Sequence, residues 1–342
     1  MNRLIKVITT TFLISLLIFV LFFLNTTFEI SKQIGKPANY LIKTIYQSAS
    51  SNPYLSKDKI NFLVLGLDER NDSLEVTQTT DTIILISFNL KTFKLNTISL
   101  PRDLWSYQIN NKINQIYPLS LEQPNKFDFI KENFKYITGQ NIDHVLIINT
   151  NNLIDFVNLI GGVDLNLDIG FVDNQYPNPN YIASPSASIP IYKTVEFKSG
   201  SIHLDESNIT EFVRSRHGGE TPAQGGTDIG RIHRQQLLIE AIISKVKSGL
   251  LISETKQISG LYQLWDQKMI KDISDVQAFQ ILSVISSGFS NLNLNKIEVK
   301  IGKNQKDGLI YHPNSFINKQ WVYLPSDKEY LSLHQFINDS IN

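Results

Sequence analysis

The sequence of 342 residues contains no cysteine, and its charges balance, with 32 Lys and Arg against 32 Asp and Glu. The absence of cysteine excludes disulfides, thiolate metal sites and cysteine nucleophiles, although it leaves the cellular compartment open. The balance of charge excludes a global basic field of the kind that coats nucleic acid or a membrane surface. Any site for an anion must therefore be a local cluster of positive side chains.

Charged residues are also missing from the stretch 7–27, which reads VITTTFLISLLIFVLFFLNTT. As a helix it spans roughly 31 Å, close to the thickness of the hydrocarbon core of a bilayer. Arg3 and Lys6 precede it, which predicts a cytoplasmic N-terminus and an extracytoplasmic remainder. A cleaved signal peptide is the alternative. We therefore predict a cytoplasmic tip and transmembrane anchor over 1–32, followed by an extracytoplasmic stalk over 33–57.

Two apolar runs predict a β-hairpin, in which DTIILISFNL and KLNTISLPRD flank a turn centred between Lys91 and Thr92. With that centre, Asp81 lies opposite Arg102 at the open end of the hairpin. The run NFLVLGLD precedes the hairpin and brings Asp68 to the same edge if its strand runs antiparallel beside it. An exposed ion pair, worth about 0–1 kcal/mol, is the alternative interpretation.

Alternating strands and helices dominate the rest of the chain. DHVLIINTNNLIDFVNLIGGVDLNLD predicts strand, helix and strand, with Thr150 as the N-cap and Gly161 and Gly162 at the helix end. Residues 172–200 are rich in proline, serine and asparagine, which predicts a long surface loop. SDVQAFQILSVIS predicts a helix, NKIEVKI a strand, and the C-terminus a short amphipathic helix. The fold class predicted is an α/β (α+β) sandwich in which helices flank a mainly antiparallel or mixed central sheet.

Arginine is concentrated in RSRHGGETPAQGGTDIGRIHRQQ, residues 214–236. In the helix predicted there, Arg231, Arg234 and Gln235 lie on the stripe that continues into leucine and isoleucine. These arginines therefore face the core, where an unpaired charge costs on the order of several kcal/mol. Because they occupy the first turn, where the helix macrodipole favours negative charge, the pattern indicates an anion as their partner.

Arg214 and Arg216 add two positive charges just before the loop. In an extended segment they point the same way, and arginine suits bidentate binding of phosphate oxygens. Ion pairs with Glu220 and Asp228 are the alternative, but two acids against four arginines favour an external oxyanion. Asp228 also has an ordinary interpretation as the N-cap of the helix that follows.

Seven segments of the chain resemble, in order and in wording, the motifs of the LytR-CpsA-Psr (LCP) family. They are NFLVLGLD, TDTIILISFNLKT, ISLPRDLW, KINQIYPL, IGGVDLNL, HLDESNITEFVRSRH and DIGRIHRQQ. The resemblance covers roughly residues 58 to 250. Seven motifs in register are specific, whereas PRD or RSR alone would mean little.

The resemblance implies a membrane-anchored extracytoplasmic phosphotransferase that moves a glycan phosphate from a polyprenyl-pyrophosphate carrier to a peptidoglycan hydroxyl. It also implies Mg²⁺ as cofactor, with Mn²⁺ as the alternative, and an apolar tunnel between sheet and helices for the prenyl chain. The residues implied to bind pyrophosphate are Arg102, Arg214, Arg216, Arg231 and Gln235. The implied metal ligands are Asp68 and Asp81. The implied catalytic residues are Asp81, Arg102 and Asp228, the last as a base or as a group that orients the head group.

Two departures from the family pattern affect this expected pocket. Many members carry an arginine shortly before TDT, where this chain has Gln78 and Thr79, and the span between RSRH and DIGR is longer here. The predicted domains are an LCP catalytic domain over 58–302 and a C-terminal extension over 303–342.

Three other functions suit the same residues: hydrolysis of polyprenyl pyrophosphate, non-catalytic binding of carrier lipid or wall polymer, and regulation as an attenuator. A cytoplasmic segment of only six residues argues against DNA binding. The predicted partners are therefore a polyprenyl-pyrophosphate-linked glycan, peptidoglycan and membrane lipid, and not nucleic acid. Teichoic acid, capsule and an arabinogalactan-like glycan all stay open as the polymer, and so do the acceptor hydroxyl and the oligomeric state.

Overall fold

The computed structural model describes residues 2–67, 78–183, 185, 188–217, 228–248 and 255–342. Its strands are β1 (Lys59–Leu67), β2 (Thr80–Asn89), β3 (Lys94–Ser99), β4 (Trp105–Ser106), β5 (Asn111–Lys112), β6 (His144–Asn149), β7 (Val163–Leu167), β8 (Phe171–Pro177), β9 (Tyr192–Phe197), β10 (Gly200–Leu204), β11 (Ile270–Lys271), β12 (Asn293–Glu298), β13 (Ile301–Gly302), β14 (Ile310–Tyr311) and β15 (Leu324–Pro325). Its α-helices are α1 (Asn2–Gln33), α2 (Tyr40–Ser50), α3 (Ile116–Ser120), α4 (Lys126–Thr138), α5 (Thr150–Leu159), α6 (Pro179–Ala183), α7 (Ile209–Arg214), α8 (Asp228–Lys247), α9 (Thr255–Gln263), α10 (Asp275–Ser286) and α11 (Leu331–Ile341).

A six-stranded sheet forms the centre of the described chain, in the order β11-β6-β1-β2-β3-β12. β1 is parallel to β6 and β3 is parallel to β12, whereas β2 is antiparallel to both β1 and β3. β11 is antiparallel to β6. The predicted mixed sheet flanked by helices is therefore confirmed.

The side chains of β1 alternate between the two faces of this sheet. Leu63 and Leu65 are fully buried in a core that they share with Phe134 of α4 and with α11. Val64 and Gly66, on the opposite face of the strand, line a cavity bounded by α5, α7 and α8. Because strand side chains alternate with a period of two, the sheet separates the main core from the cavity.

The C-terminal residues 303–342, predicted as an extension, contribute to the same main core. Tyr330, Leu333 and Ile337 are at most 1% exposed, and the Tyr330 hydroxyl donates to the carbonyl oxygen of Trp105. The predicted amphipathic helix at the C-terminus is confirmed as α11. The hydrophobic core extends across residue 302. The domain boundary there stays a prediction.

Residues 172–200 differ from the predicted long loop. β8 and β9 pair there as an antiparallel hairpin, and α6 lies between them. In spite of the polar composition, buried and exposed side chains alternate at the start of β8. Phe171, Asp173 and, on β9, Val195 are buried, at 4%, 1% and 4% exposed. Alternating burial is the pattern of a strand with one face on a core, and it overrides the composition.

The helix after β6 has a different N-cap from the one predicted. Asn149, not Thr150, caps α5, since its side-chain oxygen accepts a hydrogen bond from the amide of Asn152 at 2.8 Å. Asn149 is still extended, and Thr150 is already the first helical residue. Gly161 and Gly162 follow the helix with φ of +70° and +72°, so the predicted glycine stop is confirmed.

The predicted membrane span, residues 7–27, lies within α1. Among the residues that the structure describes, no helix combines the length and the hydropathy that a membrane crossing requires. The predicted anchor is therefore not confirmed.

The predicted stalk, residues 33–57, contains α2, which packs against α10. Asp275 at the start of α10 accepts hydrogen bonds from the hydroxyl of Tyr40 at 2.5 Å, from the hydroxyl of Tyr262, and from the indole of Trp265 at 3.0 Å. Burial opposes ionisation of Asp275, but these donors outweigh it and hold its pKa below the usual range. A carboxylate with three donors thus ties α2 to α9 and α10.

We expect Asp275→Asn to lower the free energy of unfolding by about 1–2 kcal/mol, because donors that met a carboxylate would lose a charged acceptor. The folded pKa of Asp275 is lowered, so its contribution is present above the unfolded pKa of about 3.9 and is lost as the pH falls through the folded value. Chemical denaturation should therefore show a stability difference between the two proteins that is largest near neutral pH and shrinks in acid.

The matched control is Asp58→Asn. The Asp58 carboxylate contacts Lys91 at 2.6 Å, but both side chains are about 70% exposed, so we expect a change below about 0.5 kcal/mol. Equal losses in the two variants would contradict the stabilising role of Asp275.

Candidate active site

The ion pair predicted at the open end of the hairpin is confirmed. Ile84 lies opposite Ser99 in the β2–β3 pairing, which is the register predicted from the turn. The same register brings Asp81 to Arg102, whose Nη1 donates to Asp81 Oδ1 at 2.6 Å. β1 runs antiparallel beside β2, as expected, but Asp68, which follows β1, lies outside the described residues.

A second arginine reaches the same carboxylate from α8. Arg231 Nη1 lies 3.5 Å from Asp81 Oδ2, and Arg231 Nη2 donates to the Asp81 carbonyl oxygen at 3.3 Å. Arg231 and Arg234 are only 4% and 2% exposed. The prediction that these arginines face the core is therefore confirmed, and one carboxylate links the sheet to the helix.

The charges around Asp81 determine its protonation. Burial disfavours the ionised form, but the positive charges of Arg102, Arg231 and Arg216 outweigh burial and hold the pKa of Asp81 below its usual range. Asp81 is therefore ionised at neutral pH and has little tendency to take up a proton. It acts as the counter-ion that positions arginines, and its low pKa makes it a poor general base.

The arginines before the loop reach the site by a backbone different from the one predicted. Arg214 is the last residue of α7, and Ser215 ends the helix with φ −56° and ψ 137°, so the segment is not extended throughout. The apolar side chains of α7 are buried at helical spacing, and this burial favours the helix. Arg214 and Arg216 nevertheless line the same cavity as Asp81 and Arg231.

Arg234, which the predicted site does not include, holds the end of α7. Its Nε donates to the carbonyl oxygen of Phe212 at 2.7 Å, and its Nη2 donates to that of Ser215. The guanidinium lies 4.3 Å from the ring centroid of Phe171. Burial, and then the nearby charge of Arg231, lower the pKa of Arg234 to about 10. It remains positively charged at neutral pH and fixes the backbone that carries the two arginines.

Asp173 holds the other side of this backbone and was missed by the sequence analysis. Its Oδ2 accepts hydrogen bonds from the amides of Arg216 at 2.9 Å and His217 at 3.2 Å. Its Oδ1 accepts one from the amide of Gln175 at 2.9 Å. The signal that could have identified it was the alternation around Phe171, which marks Asp173 as a buried acid rather than a loop residue.

An apolar cavity of about 320 Å³ lies between the sheet and helices α5, α7 and α8. Its polar end lies where β1 ends and β2 begins, and the residues there are Asp81, Arg214, Arg216, Arg231 and Gln235. Its apolar walls include Val64, Ile84, Ile148, Leu153, Phe156, Leu238, Ile242, Leu264 and Met269. The arrangement can hold an anion at the arginines and an apolar group behind it.

The described residues do not by themselves fit a magnesium ion. Within the described ranges, no group of three or more acidic or histidine side chains is placed to hold a metal. Asp81, one of the two implied ligands, already has an arginine at each carboxylate oxygen. The arginines thus take up part of the acceptor capacity of Asp81, and Asp68, the other implied ligand, lies outside the described residues.

Asp228 is the first residue of α8, whereas the sequence placed it one residue before the helix. The long span between RSRH and DIGR falls on residues 218–227, outside the described residues, as does Glu220. Gln78, which stands where many family members carry arginine, is exposed.

The described chain thus combines a mixed α/β fold with an arginine cluster at the end of an apolar cavity. The chain belongs to the LytR_cpsA_psr family, whose model matches residues 17–333. The resemblance inferred from the seven motifs is thereby confirmed, and the match extends well beyond them.

Named relatives agree with this assignment. The chain is 26% identical over 283 residues to the polyisoprenyl-teichoic acid–peptidoglycan teichoic acid transferase TagU of Oceanobacillus iheyensis, covering 81% of this chain and 74% of that protein. The fold of this chain is similar to the crystal structure of Bacillus subtilis TagV, with a TM-score of 0.57 and 17% identity over 84% of this chain and 98% of the other. It is also similar to TagT bound to LIIa-WTA, with a TM-score of 0.55 and 19% identity over 83% and 91%.

We expect Asp173→Asn to weaken the binding of inorganic pyrophosphate about tenfold, because the amide group would leave a buried backbone donor poorly satisfied and shift Arg216. Titration calorimetry measures the affinity, and circular dichroism checks that the fold is retained. Asp173→Glu, which keeps the charge, should recover part of the affinity.

The control for this prediction is Asp168→Asn, an exposed aspartate that precedes the same strand. Its affinity for pyrophosphate should equal that of the unaltered protein. If Asp173→Asn binds pyrophosphate normally while folding normally, Asp173 does not position the arginines.

Proposed function

We propose that this chain transfers a teichoic-acid-type glycan phosphate from a polyprenyl-pyrophosphate carrier to a hydroxyl group of peptidoglycan. The observation that carries the proposal is the arginine cluster at the polar end of an apolar cavity. Arg214, Arg216 and Arg231 line the cavity there, and Arg102 contacts Asp81 at the same end. A pyrophosphate on a prenyl chain has this combination of a charged head and an apolar tail. The relatives named as teichoic acid transferases support the choice of polymer.

In this reaction the acceptor oxygen attacks the phosphorus that carries the glycan. The bond from that phosphorus to the bridging oxygen breaks, and polyprenyl phosphate leaves with the electron pair. Negative charge therefore grows on the leaving phosphate, where guanidinium groups stabilise it. Because the arginines are fixed by Asp81, Asp173 and Arg234, little reorganisation is needed as that charge develops.

The proton of the acceptor hydroxyl needs a separate base. Asp81 is unsuited to this step, since neighbouring arginines hold its pKa below the usual range. Asp228, at the start of α8, stays the predicted base or head-group orienting residue. The Mg²⁺ requirement implied by the family also stays a prediction, and no step here depends on it.

Hydrolysis of the carrier is the second candidate, because water could attack the same phosphorus. A binding or attenuator role is the third. A labelled lipid-pyrophosphate glycan incubated with peptidoglycan oligomers separates them: transfer gives labelled peptidoglycan, hydrolysis gives free glycan phosphate, and simple binding gives neither.

We expect Arg102→Ala to reduce the rate of transfer about 100-fold, the usual effect of removing one group that stabilises transition-state charge. Arg216→Ala should act in the same direction, while Lys91→Ala, at an exposed pair far along the hairpin, should leave the rate unchanged. Labelled peptidoglycan is quantified over time with the full chain in detergent micelles. Unchanged transfer in both arginine variants would overturn the proposed site.

We also propose that the chain acts at the outer face of the cell membrane, held there by the uncharged stretch 7–27. Donor and acceptor both meet at that surface, so anchoring raises their encounter frequency. Protease added to intact cells should remove a tag placed after residue 342, whereas a tag before residue 1 should survive. Protection of both tags would contradict this location.

A further inference from the structure

Residues 316–321 form a small β-hairpin, here called the aromatic hairpin. Ile317 and Gln320 exchange backbone hydrogen bonds at 3.1 and 2.8 Å. Asn318 and Lys319 between them have φ of +48° and +63°, the pattern of a type I′ turn. Left-handed backbone at a lysine costs on the order of 1 kcal/mol.

Two aromatic side chains flank the hairpin. Extending the pairing of Ile317 with Gln320 by one residue opposes Phe316 to Trp321, and opposed residues of a hairpin project to the same side. Phe316 is 65% exposed and Trp321 is 38% exposed. Large apolar side chains that are exposed close together mark interaction sites, and this short hairpin carries two of them.

The Trp321 ring is held rigidly. It stacks on His312, with 4.6 Å between ring centroids, and the Tyr323 ring lies nearly perpendicular to it, with 4.7 Å between centroids. His312 Nδ1 lies 2.8 Å from the carbonyl oxygen of Val322. A ring that is fixed before binding loses little conformational entropy when a ligand stacks on it.

Direct hydrogen bonds connect the hairpin to the arginine site. The amide of Tyr323 donates to the carbonyl oxygen of Asp103 at 2.9 Å, and the amide of Trp105 donates to that of Tyr323 at 2.8 Å. The Asp103 carboxylate in turn contacts Arg102 Nε at 3.4 Å. From these links, Trp321 lies within about 15 Å of Arg102 along the backbone, which is within reach of a short oligosaccharide.

The hairpin and the cavity lie on opposite faces of the central sheet. Tyr323 and Leu104 belong to the main core with Leu65, whereas Val64 and Gly66 line the cavity on the other face. A nucleophile that displaces polyprenyl phosphate must approach phosphorus roughly in line with the leaving group. With the prenyl chain in the cavity, the acceptor therefore approaches from the side of the hairpin.

The chain from the N-terminal helices enters this sheet elsewhere. Tyr54, just before β1, contacts His144 at the start of β6, with 2.7 Å between Tyr54 Oη and His144 Nε2. β1 then runs toward Asp81, so the entering segment and the arginines lie at opposite ends of the strand. The hairpin, which is linked by hydrogen bonds to the segment of Arg102, therefore lies toward the end of the strand away from the entering segment.

We propose that the aromatic hairpin, through Trp321 and Phe316, is a subsite for sugar rings of the acceptor glycan. The C–H bonds of a pyranose carry slight positive charge and pack on the negative face of an aromatic ring. The amide of Gln320, which donates to Asn111 Oδ1 at 3.4 Å, adds a polar group beside the rings. The identity of the glycan as an acceptor rests on the proposed transferase function.

The binding test uses a β-1,4-linked N-acetylglucosamine oligomer, an uncharged probe for the glycan strand, and the full chain in detergent micelles. We expect Trp321→Ala to weaken its affinity about tenfold, and Phe316→Ala, at a largely exposed site, to weaken it in the same direction. Tyr46→Ala is the matched control, because Tyr46 is an aromatic side chain of α2 that is 74% exposed. Thermal unfolding of each variant checks that the fold is kept.

A kinetic test distinguishes this subsite from the proposed function. Trp321→Ala should raise KM for peptidoglycan oligomers while leaving KM for the lipid donor unchanged. Oligomer binding that depends on Trp321 in a protein that performs no transfer would refute the transferase function and leave the glycan site standing. Transfer with unchanged acceptor KM and oligomer affinity in both variants would refute the subsite alone. If Trp321→Ala lost binding to phosphatidylglycerol vesicles but kept its affinity for the oligomer, the hairpin would contact the membrane, and the glycan subsite would be refuted.

Discussion

The carboxylate of Asp81 is the interaction on which the site depends. It lies at the start of β2, contacts Arg102 across the hairpin and Arg231 from α8, and so couples the sheet to the helix that closes the cavity. Buried charges of one sign repel each other unless a counter-ion lies among them. Asp81 supplies that counter-ion, and the arginines in return hold its pKa below the usual range.

Two further buried residues, Arg234 and Asp173, hold the backbone that carries Arg214 and Arg216. Arg234 binds carbonyl oxygens at the end of α7, and Asp173 binds the amides that follow. The backbone of Arg216 is thereby fixed from both sides. Neither Arg234 nor Asp173 is among the described residues that line the cavity. Their hydrogen bonds nevertheless fix the end of α7 so that Arg214 and Arg216 face the same cavity.

The sequence predicted the hairpin register and the buried face of α8, because each depends on local periodicity and turn position. It failed where tertiary contacts decide the outcome. Residues 172–200 pair as β8 and β9 in spite of a loop-like composition, since burial of Phe171 and Asp173 outweighs propensity. Arg214 is helical because α7 buries its apolar face. The support that Asp173 gives to the arginines could not be predicted, because the amides of Arg216 and His217 that it binds are more than 40 residues away along the chain.

The C-terminal segment connects stability with the site. Tyr330 and Ile337 fill the main core beside Phe134, while Tyr323 pairs through its backbone with the strand that follows Arg102. The segment is therefore folded into the face of the sheet opposite the cavity. Since in-line displacement at phosphorus requires donor and acceptor to approach from opposite sides, a two-faced sheet with arginines at its edge suits transfer between a buried lipid and an external glycan.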